Sequence, residues 1–130
     1  MSFGFEELIV YKKAYKLGME VFELSKKFPP EERYSLTDQV RRSSRSICVC
    51  IGEGYRKRIY PKHFVTKMSD ADGECTETII WLHFARDSKY IPVSEVEDII
   101  SGYREVGRML GSMCENPEKF VPKKKQYNDN

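Results

Sequence analysis

The amino-acid sequence predicts a small all-α protein, an antiparallel up-and-down bundle of four helices. Two observations support this prediction: prolines divide the chain into proline-free stretches, and each stretch repeats apolar residues at helical spacing. A proline inside a helix costs about 3 kcal/mol, so helix boundaries are expected at Pro29, Pro30, Pro61, Pro92 and Pro117. The connections between the stretches are only a few residues long, which makes consecutive helices antiparallel neighbours.

The first predicted helix covers residues 6–28 and has two adjoining apolar stripes. Leu8, Tyr11 and Tyr15 recur at spacings of three and four on one stripe, and Val21 lies on the other. Two adjoining stripes form the wide apolar face of a helix that packs in a bundle core.

The second predicted helix, residues 32–57, combines one apolar face with many serines, cysteines and glycines. Each glycine inside a helix costs about 1 kcal/mol relative to alanine. We therefore expect a neighbouring backbone to approach this helix closely, because close packing compensates for that cost.

The third and fourth predicted helices cover residues 61–89 and 94–114. Ser94 is expected to cap the N-terminus of the fourth helix, because Glu97 follows three residues later and completes a capping box. Across the last three helices, five large apolar residues are expected in the core: Leu36, Ile47, Ile51, Leu82 and Leu110.

Length and composition favour a single domain of a cytoplasmic protein. The 130 residues fit one bundle domain, residues 1–114, followed by a polar tail, residues 115–130, that is expected to be disordered. The N-terminus does not have the pattern of a signal peptide, and no run of roughly 18 apolar residues predicts a membrane span. The four cysteines contain no CxxC pair and are expected to be buried, reduced thiols.

The titratable residues do not match the pattern of a metal centre. Metal sites in helical bundles use E-x-x-H motifs, but Tyr60 and Ile80 stand three residues before His63 and His83. We therefore expect no metal, no cofactor and no enzyme. One catalytic alternative stays open, because Arg58 and His63 form an R-x4-H spacing that resembles the motif of helical-bundle ribonucleases, where Arg and His act on the scissile phosphate.

Charge is distributed unevenly along a chain whose net charge is only +2. Residues 33–67 contain nine basic and two acidic residues, whereas residues 70–105 contain nine acidic and three basic residues. A basic stripe on one helix is typical of phosphate binding, and arginine suits bidentate contacts with phosphate. The residues predicted to contact nucleic acid share or adjoin one face of the second helix: Arg41, Arg42, Arg45, Arg56, Lys57 and Arg58.

The same arginines allow a second interpretation, in which the protein is a structural or partner-binding scaffold. In that case they form ion pairs between subunits with the acidic third and fourth helices. RNA binding that depends on salt would distinguish the first interpretation from the second.

Four segments of the sequence resemble the four-helix-bundle proteins encoded by intervening sequences of bacterial 23S rRNA genes. The segments are FEELIVYKKAYKL at 5–17, FPPEERYSLTDQVRRSSRSI at 28–47, IGEGYRK at 51–57 and ADGECTE at 71–77. The sequence departs from this family at Cys48 and Cys50, where proline and asparagine are usual, and at Glu74, where serine is common.

The resemblance implies an assembly as well as a fold. Proteins of this family are expected to form rings, commonly homopentamers. The family is also similar to the accessory variability proteins of diversity-generating retroelements, whose ring binds nucleic acid and a reverse transcriptase. The resemblance therefore implies three kinds of partner: other copies of the chain, RNA, and a protein such as a reverse transcriptase.

Overall fold

A computed structural model describes residues 4–122 and contains the four expected helices. They are α1 (Ile9–Ser25), α2 (Leu36–Arg56), α3 (Pro61–Asp87) and α4 (Val93–Glu115). Each helix packs on the next one, and α1 also packs on α4, whereas the diagonal pairs make no close backbone contact. No strand is present between residues 4 and 122. The predicted all-α, up-and-down bundle is confirmed.

The start of α2 differs from the prediction because a side chain caps it. The chain forms one turn of 3₁₀ helix at Pro30–Glu32, and the regular helix begins four residues later than predicted, at Leu36. The Glu32 carboxylate accepts hydrogen bonds from the Leu36 backbone N–H (3.2 Å), the Ser35 hydroxyl (2.5 Å) and the Tyr90 hydroxyl (2.7 Å). Glu32 therefore precedes the helix and satisfies its first N–H group, that of Leu36.

The predicted capping box at the start of α4 is wrong. The helix begins at Val93, Pro92 occupies the N-cap position, and no side chain caps the helix. Ser94 lies inside the first turn, and Glu97 accepts a hydrogen bond from Arg86 at 2.7 Å instead. The Pro92 carbonyl accepts from the N–H groups of Glu95 (3.1 Å) and Val96 (3.3 Å), so the helix begins before Ser94, and proline has no side-chain acceptor to cap it.

The end of α3 is set by a backbone motif. Lys89 has a positive φ of 65°, and its N–H donates to the Arg86 carbonyl at 3.0 Å. The N–H of Tyr90 donates to the Ala85 carbonyl at 3.1 Å. This is the Schellman motif, and it ends the helix two residues before the predicted position.

The core and the close approach of α2 to α3 agree with the sequence. The five predicted core residues, Leu36, Ile47, Ile51, Leu82 and Leu110, are all buried. A Cβ atom added at Gly54 would lie 2.6 Å from Met68 Cε and 2.9 Å from Lys67 Cβ, so only glycine fits there without displacement. The buried hydroxyls of Ser43 and Thr78 hydrogen-bond across the same interface at 2.8 Å.

The first part of the predicted tail packs on the bundle. A 3₁₀ turn at Pro117–Lys119 follows α4, and the ring of Phe120 stacks on Phe64 with 5.3 Å between centroids. The tail expected from residue 115 thus follows the bundle as far as Phe120, and residues 123–130 lie outside the described part. Within residues 4–122, none of the helices is long and apolar enough to cross a membrane.

Candidate nucleic-acid interface

The six predicted nucleic-acid-binding residues do not form one cluster. Arg41 and Arg45 lie in the first half of α2, whereas the run from Arg56 to Arg58 lies at its C-terminal end. Arg45 and Arg56 are eleven positions apart in the sequence, which is about 16 Å along a helix axis. Arg42 lies apart from both groups, on another side of the helix.

Arg41 and Arg45, which we call the Phe22 arginines, lie beside an aromatic ring of α1. Their guanidinium carbons are 4.8 Å and 5.8 Å from the centroid of the Phe22 ring. Arg41 Nε donates to the buried Ser25 hydroxyl at 2.7 Å, which in turn donates to the Phe22 carbonyl at 2.8 Å. This anchoring orients Arg41, and its two terminal nitrogens have no hydrogen-bond partner between residues 4 and 122.

Arg42 is neutralised by its own helix. Its Nε donates to Asp38 Oδ2 at 2.9 Å, an exposed pair one helical turn apart. Exposed pairs of this kind stabilise a helix by about 0.3–0.5 kcal/mol. The carboxylate nevertheless reduces the local positive potential, so Arg42 is the weakest member of the predicted set.

Arg56, Lys57 and Arg58, which we call the turn cations, lie where α2 ends. Arg56 and Lys57 are exposed, and no carboxylate among residues 4–122 lies within 4 Å of either. Arg58 is held in place, since its guanidinium carbon is 4.0 Å from the Tyr55 ring centroid and its Nη1 donates to the Tyr55 carbonyl at 2.9 Å. Lys62, which the sequence analysis did not select, adds an exposed cation in the first turn of α3.

The acidic residues of α3 do not neutralise the arginines of α2 within the chain. Asp70, Glu74 and Glu77 form no ion pair with any residue of the described range. Burial, followed by the nearby charge of Glu77, raises the pKa of Glu74, while a hydrogen bond from Ser46 opposes that shift. Glu53 of α2 pairs with Lys67 of α3 at 3.0 Å.

Other residues with catalytic potential are not brought together. No disulfide links the four cysteines, but only Cys75 is buried as expected, and the other three are half-buried. Burial raises the pKa of Cys48 to about 11 and that of Cys75 to about 12. The Arg58 guanidinium contacts Tyr55, whereas the ring of His63 packs against that of Tyr60 at 74°, with 5.9 Å between centroids. Within residues 4–122, no three His, Cys, Asp or Glu side chains are grouped so that they could hold a metal ion.

An apolar surface lies on α3, and we call its three residues the α3 patch: Ile80, Trp81 and Phe84. Ile80 and Phe84 are 44% and 57% exposed. The half-buried Trp81 ring lies 6.1 Å from that of Phe84, and its buried Nε1 has no hydrogen-bond partner in the described part of the chain. Tyr103 does not add to this surface, because it lies on the core stripe of α4 and is fully buried.

Comparison with known proteins identifies the family. The family of 23S rRNA-intervening sequence proteins matches residues 6–112. The chain belongs to this family. The fold is similar to the crystal structure, at 1.70 Å resolution, of a protein of unknown function from the S23 ribosomal protein family of Bacteroides thetaiotaomicron. The TM-score is 0.74 at 25% sequence identity, and the alignment covers 82% of this chain and 98% of that one. No curated protein gives a significant match to the sequence.

The family match confirms the resemblance and covers nearly the whole bundle. The matched range includes the Phe22 arginines and the turn cations. Because the similar structure is of a protein of unknown function, the function of this member must be argued from its own residues.

Proposed function

We propose that this family member is a non-enzymatic, oligomeric, cytoplasmic protein that binds RNA through the cations of α2. One observation carries the proposal. Five of the six predicted residues, all except Arg42, have no carboxylate within 4 Å in residues 4–122. The chain contains 20 acidic residues, so the lack of ion pairs at these cations does not come from a shortage of acidic residues.

Unpaired surface cations favour a polyanion for a general physical reason. When Lys and Arg side chains neutralise phosphates, the counterions condensed on the nucleic acid are released, and binding gains entropy. Contacts of this kind fix the strand on the protein but do not read the bases. The proposed binding is therefore weakly sequence-specific, and an oligomer that repeats the same cations would bind more strongly than one subunit.

Salt dependence provides the test of RNA binding. We expect the logarithm of the affinity for a labelled RNA, measured by fluorescence anisotropy, to fall linearly with the logarithm of the salt concentration. The double variant Arg45→Gln/Arg56→Gln should weaken binding to all sequences alike. If both arginines contact phosphates of a single strand, the double variant should also make the slope of log affinity against log salt less steep by roughly 1.4.

A matched control removes the same charge from another helix. Arg104 and Arg108 of α4 are exposed and, within residues 4–122, also have no ion pair. Arg104→Gln/Arg108→Gln should leave the affinity and the salt slope close to those of the wild type. Equal losses in the two double variants would contradict a site on α2, and a wild-type protein without salt-dependent RNA binding would overturn the proposal.

A scaffold function is the second candidate, and one observation favours it. Asp70, Glu74 and Glu77 have no cationic partner in the described part of the chain, so the arginines of another subunit could pair with them. Breaking such pairs by removing the arginines leaves buried acids uncompensated. In this case Arg41→Ala/Arg45→Ala dissociates the oligomer, whereas a phosphate-binding role leaves the oligomer intact.

The proposed oligomer is a homo-oligomer, and the number five rests on the family resemblance. The α3 patch supports self-association, because large exposed apolar surfaces usually mark interfaces. A reverse transcriptase is the protein partner that the resemblance suggests. The absence of enzyme activity is also part of the proposal, and RNA cleavage that is lost in His63→Ala would overturn it.

A further inference from the structure

We propose that the turn between α2 and α3 binds unpaired nucleotides, with the ring of Tyr60 as the surface on which a base stacks. This inference rests on the proposed function and specifies the class of RNA that is bound. The site consists of Tyr60, the turn cations and Lys62, and neither Tyr60 nor Lys62 is among the six residues predicted from the sequence.

Tyr60 is an exposed ring on a fixed backbone. Its side chain is 55% exposed, although it lies between two packed helices. Its N–H donates to the Lys57 carbonyl at 2.8 Å, and its carbonyl accepts from the Phe64 N–H at 3.0 Å, which closes the first turn of α3. The ring of His63 lies against it edge to face at 74°, so one side chain already supports its orientation.

Cations lie on both sides of Tyr60 along the chain. Arg56, Lys57 and Arg58 precede Tyr60, and Lys62 follows it two residues later. Arg56, Lys57 and Lys62 are exposed, and no carboxylate of residues 4–122 lies within 4 Å of them. A strand whose base lies on Tyr60 would therefore have cations next to the phosphates on either side of that base.

An exposed aromatic ring among cations matches the chemistry of single-stranded nucleic acid. Every base has a π-face that can stack on an aromatic side chain, and the cations contact the phosphates of the strand. Such sites therefore bind single strands of many different sequences. In a duplex the faces of the bases are already stacked on one another and cannot reach a protein ring. The geometry therefore favours loops, bulges and single strands over continuous duplex.

A second exposed tyrosine in the molecule provides the contrast. Tyr34 is 85% exposed, and the Arg33 guanidinium lies 5.6 Å from its ring centroid. It lies at the opposite end of α2, about 30 Å away by the length of the helix. Glu31 and Glu32 precede it, and Asp38, which follows it, holds Arg42 in an ion pair, so this end of α2 has fewer unpaired cations than the turn at Tyr60.

The experiment compares two RNA probes and three tyrosine variants on the full chain. The probes are a labelled unstructured RNA of about 12 nucleotides and an RNA duplex of the same length, both measured by anisotropy at one salt concentration. Tyr60→Ala should weaken single-strand binding about 5-fold to 100-fold, and Tyr60→Phe should not, because phenylalanine keeps the stacking face. Duplex affinity should stay within about twofold in both variants, and Tyr34→Ala should resemble the wild type.

The outcomes separate this inference from the function on which it rests. If the wild type binds neither probe, the proposed RNA binding fails and the inference fails with it. If the wild type binds both probes in a salt-dependent manner and Tyr60→Ala changes neither affinity, RNA binding stands and only the stacking site is overturned. Equal losses in Tyr60→Ala and Tyr34→Ala would also overturn it, because they would assign no special role to this turn.

Discussion

At the scale of single residues, the buried hydroxyl of Tyr103 predicts that its removal stabilises the protein. Tyr103 is fully buried, its hydroxyl has no hydrogen-bond partner in the described part of the chain, and burial raises its pKa far above the usual range. A buried hydroxyl without a partner costs free energy that phenylalanine does not incur. Tyr103→Phe should therefore raise the free energy of unfolding by about 1 kcal/mol, as measured by urea denaturation.

Tyr90→Phe is the matched control for this prediction. The Tyr90 hydroxyl donates to Glu32 at 2.7 Å, so the same deletion of one oxygen should here lower the free energy of unfolding. If Tyr103→Phe destabilises the protein as much as Tyr90→Phe does, the hydroxyl of Tyr103 is not unpaired in solution.

At the scale of secondary-structure elements, the cap of α2 predicts a pH dependence. Hydrogen bonds from Ser35, Tyr90 and the Leu36 N–H favour the charged form of Glu32 and lower its pKa below the ordinary value of 4.5. The stabilisation is thus complete above pH 4.5 and is lost as the pH falls through the lowered pKa. Glu32→Gln should cost about 1 kcal/mol at neutral pH, and the difference from the wild type should disappear in acid.

Glu31→Gln serves as the control for the cap. Glu31 is exposed and precedes Glu32 in the same 3₁₀ turn, but it caps no helix. Thermal unfolding between neutral pH and pH 3 should show a pH-dependent difference for Glu32→Gln and a small, nearly constant one for Glu31→Gln. A constant difference for Glu32→Gln would contradict the assignment of the cap.

The helices were predictable from the sequence, but the hydrogen bonds that cap their ends were not. Proline positions and the helical period depend only on nearby residues, so they located all four helices. The carboxylate of Glu32, which caps α2, also accepts from Tyr90, 58 residues away, and no local pattern contains that contact. The candidate nucleic-acid interface likewise has one feature that follows from local sequence and one that does not. The shared face of Arg45 and Arg56 follows from helical spacing, whereas the anchoring of Arg41 depends on how Phe22 packs beside α2.

At the scale of the whole molecule, the α3 patch predicts self-association. Light scattering at micromolar concentration should report a multiple of 15.3 kDa, and a clean monomer would refute the proposal. The double variant Ile80→Ser/Phe84→Ser should form smaller species, because it removes apolar area from the interface. Trp81, the sole tryptophan, should then emit at longer wavelength as water reaches its ring.

The control for assembly lies outside the patch. Val93 is 59% exposed at the start of α4, so Val93→Ser removes a similar apolar side chain from the surface elsewhere. It should leave the oligomer and the emission of Trp81 unchanged. Dissociation of both variants would show that general surface hydrophobicity, and not the α3 patch, holds the subunits together.

The short connections of the bundle bear on the order in which the chain folds. Only residues 57–60 separate α2 from α3, and these two helices also pack on each other most extensively. Contacts between segments that are close in sequence form early, because little chain entropy is lost when they meet. The contact of α1 with α4 joins the two ends of the bundle and carries the largest loop-closure cost. We therefore expect the hairpin of α2 and α3 to nucleate folding, so that the turn proposed to hold RNA takes shape before the rest of the bundle closes around it.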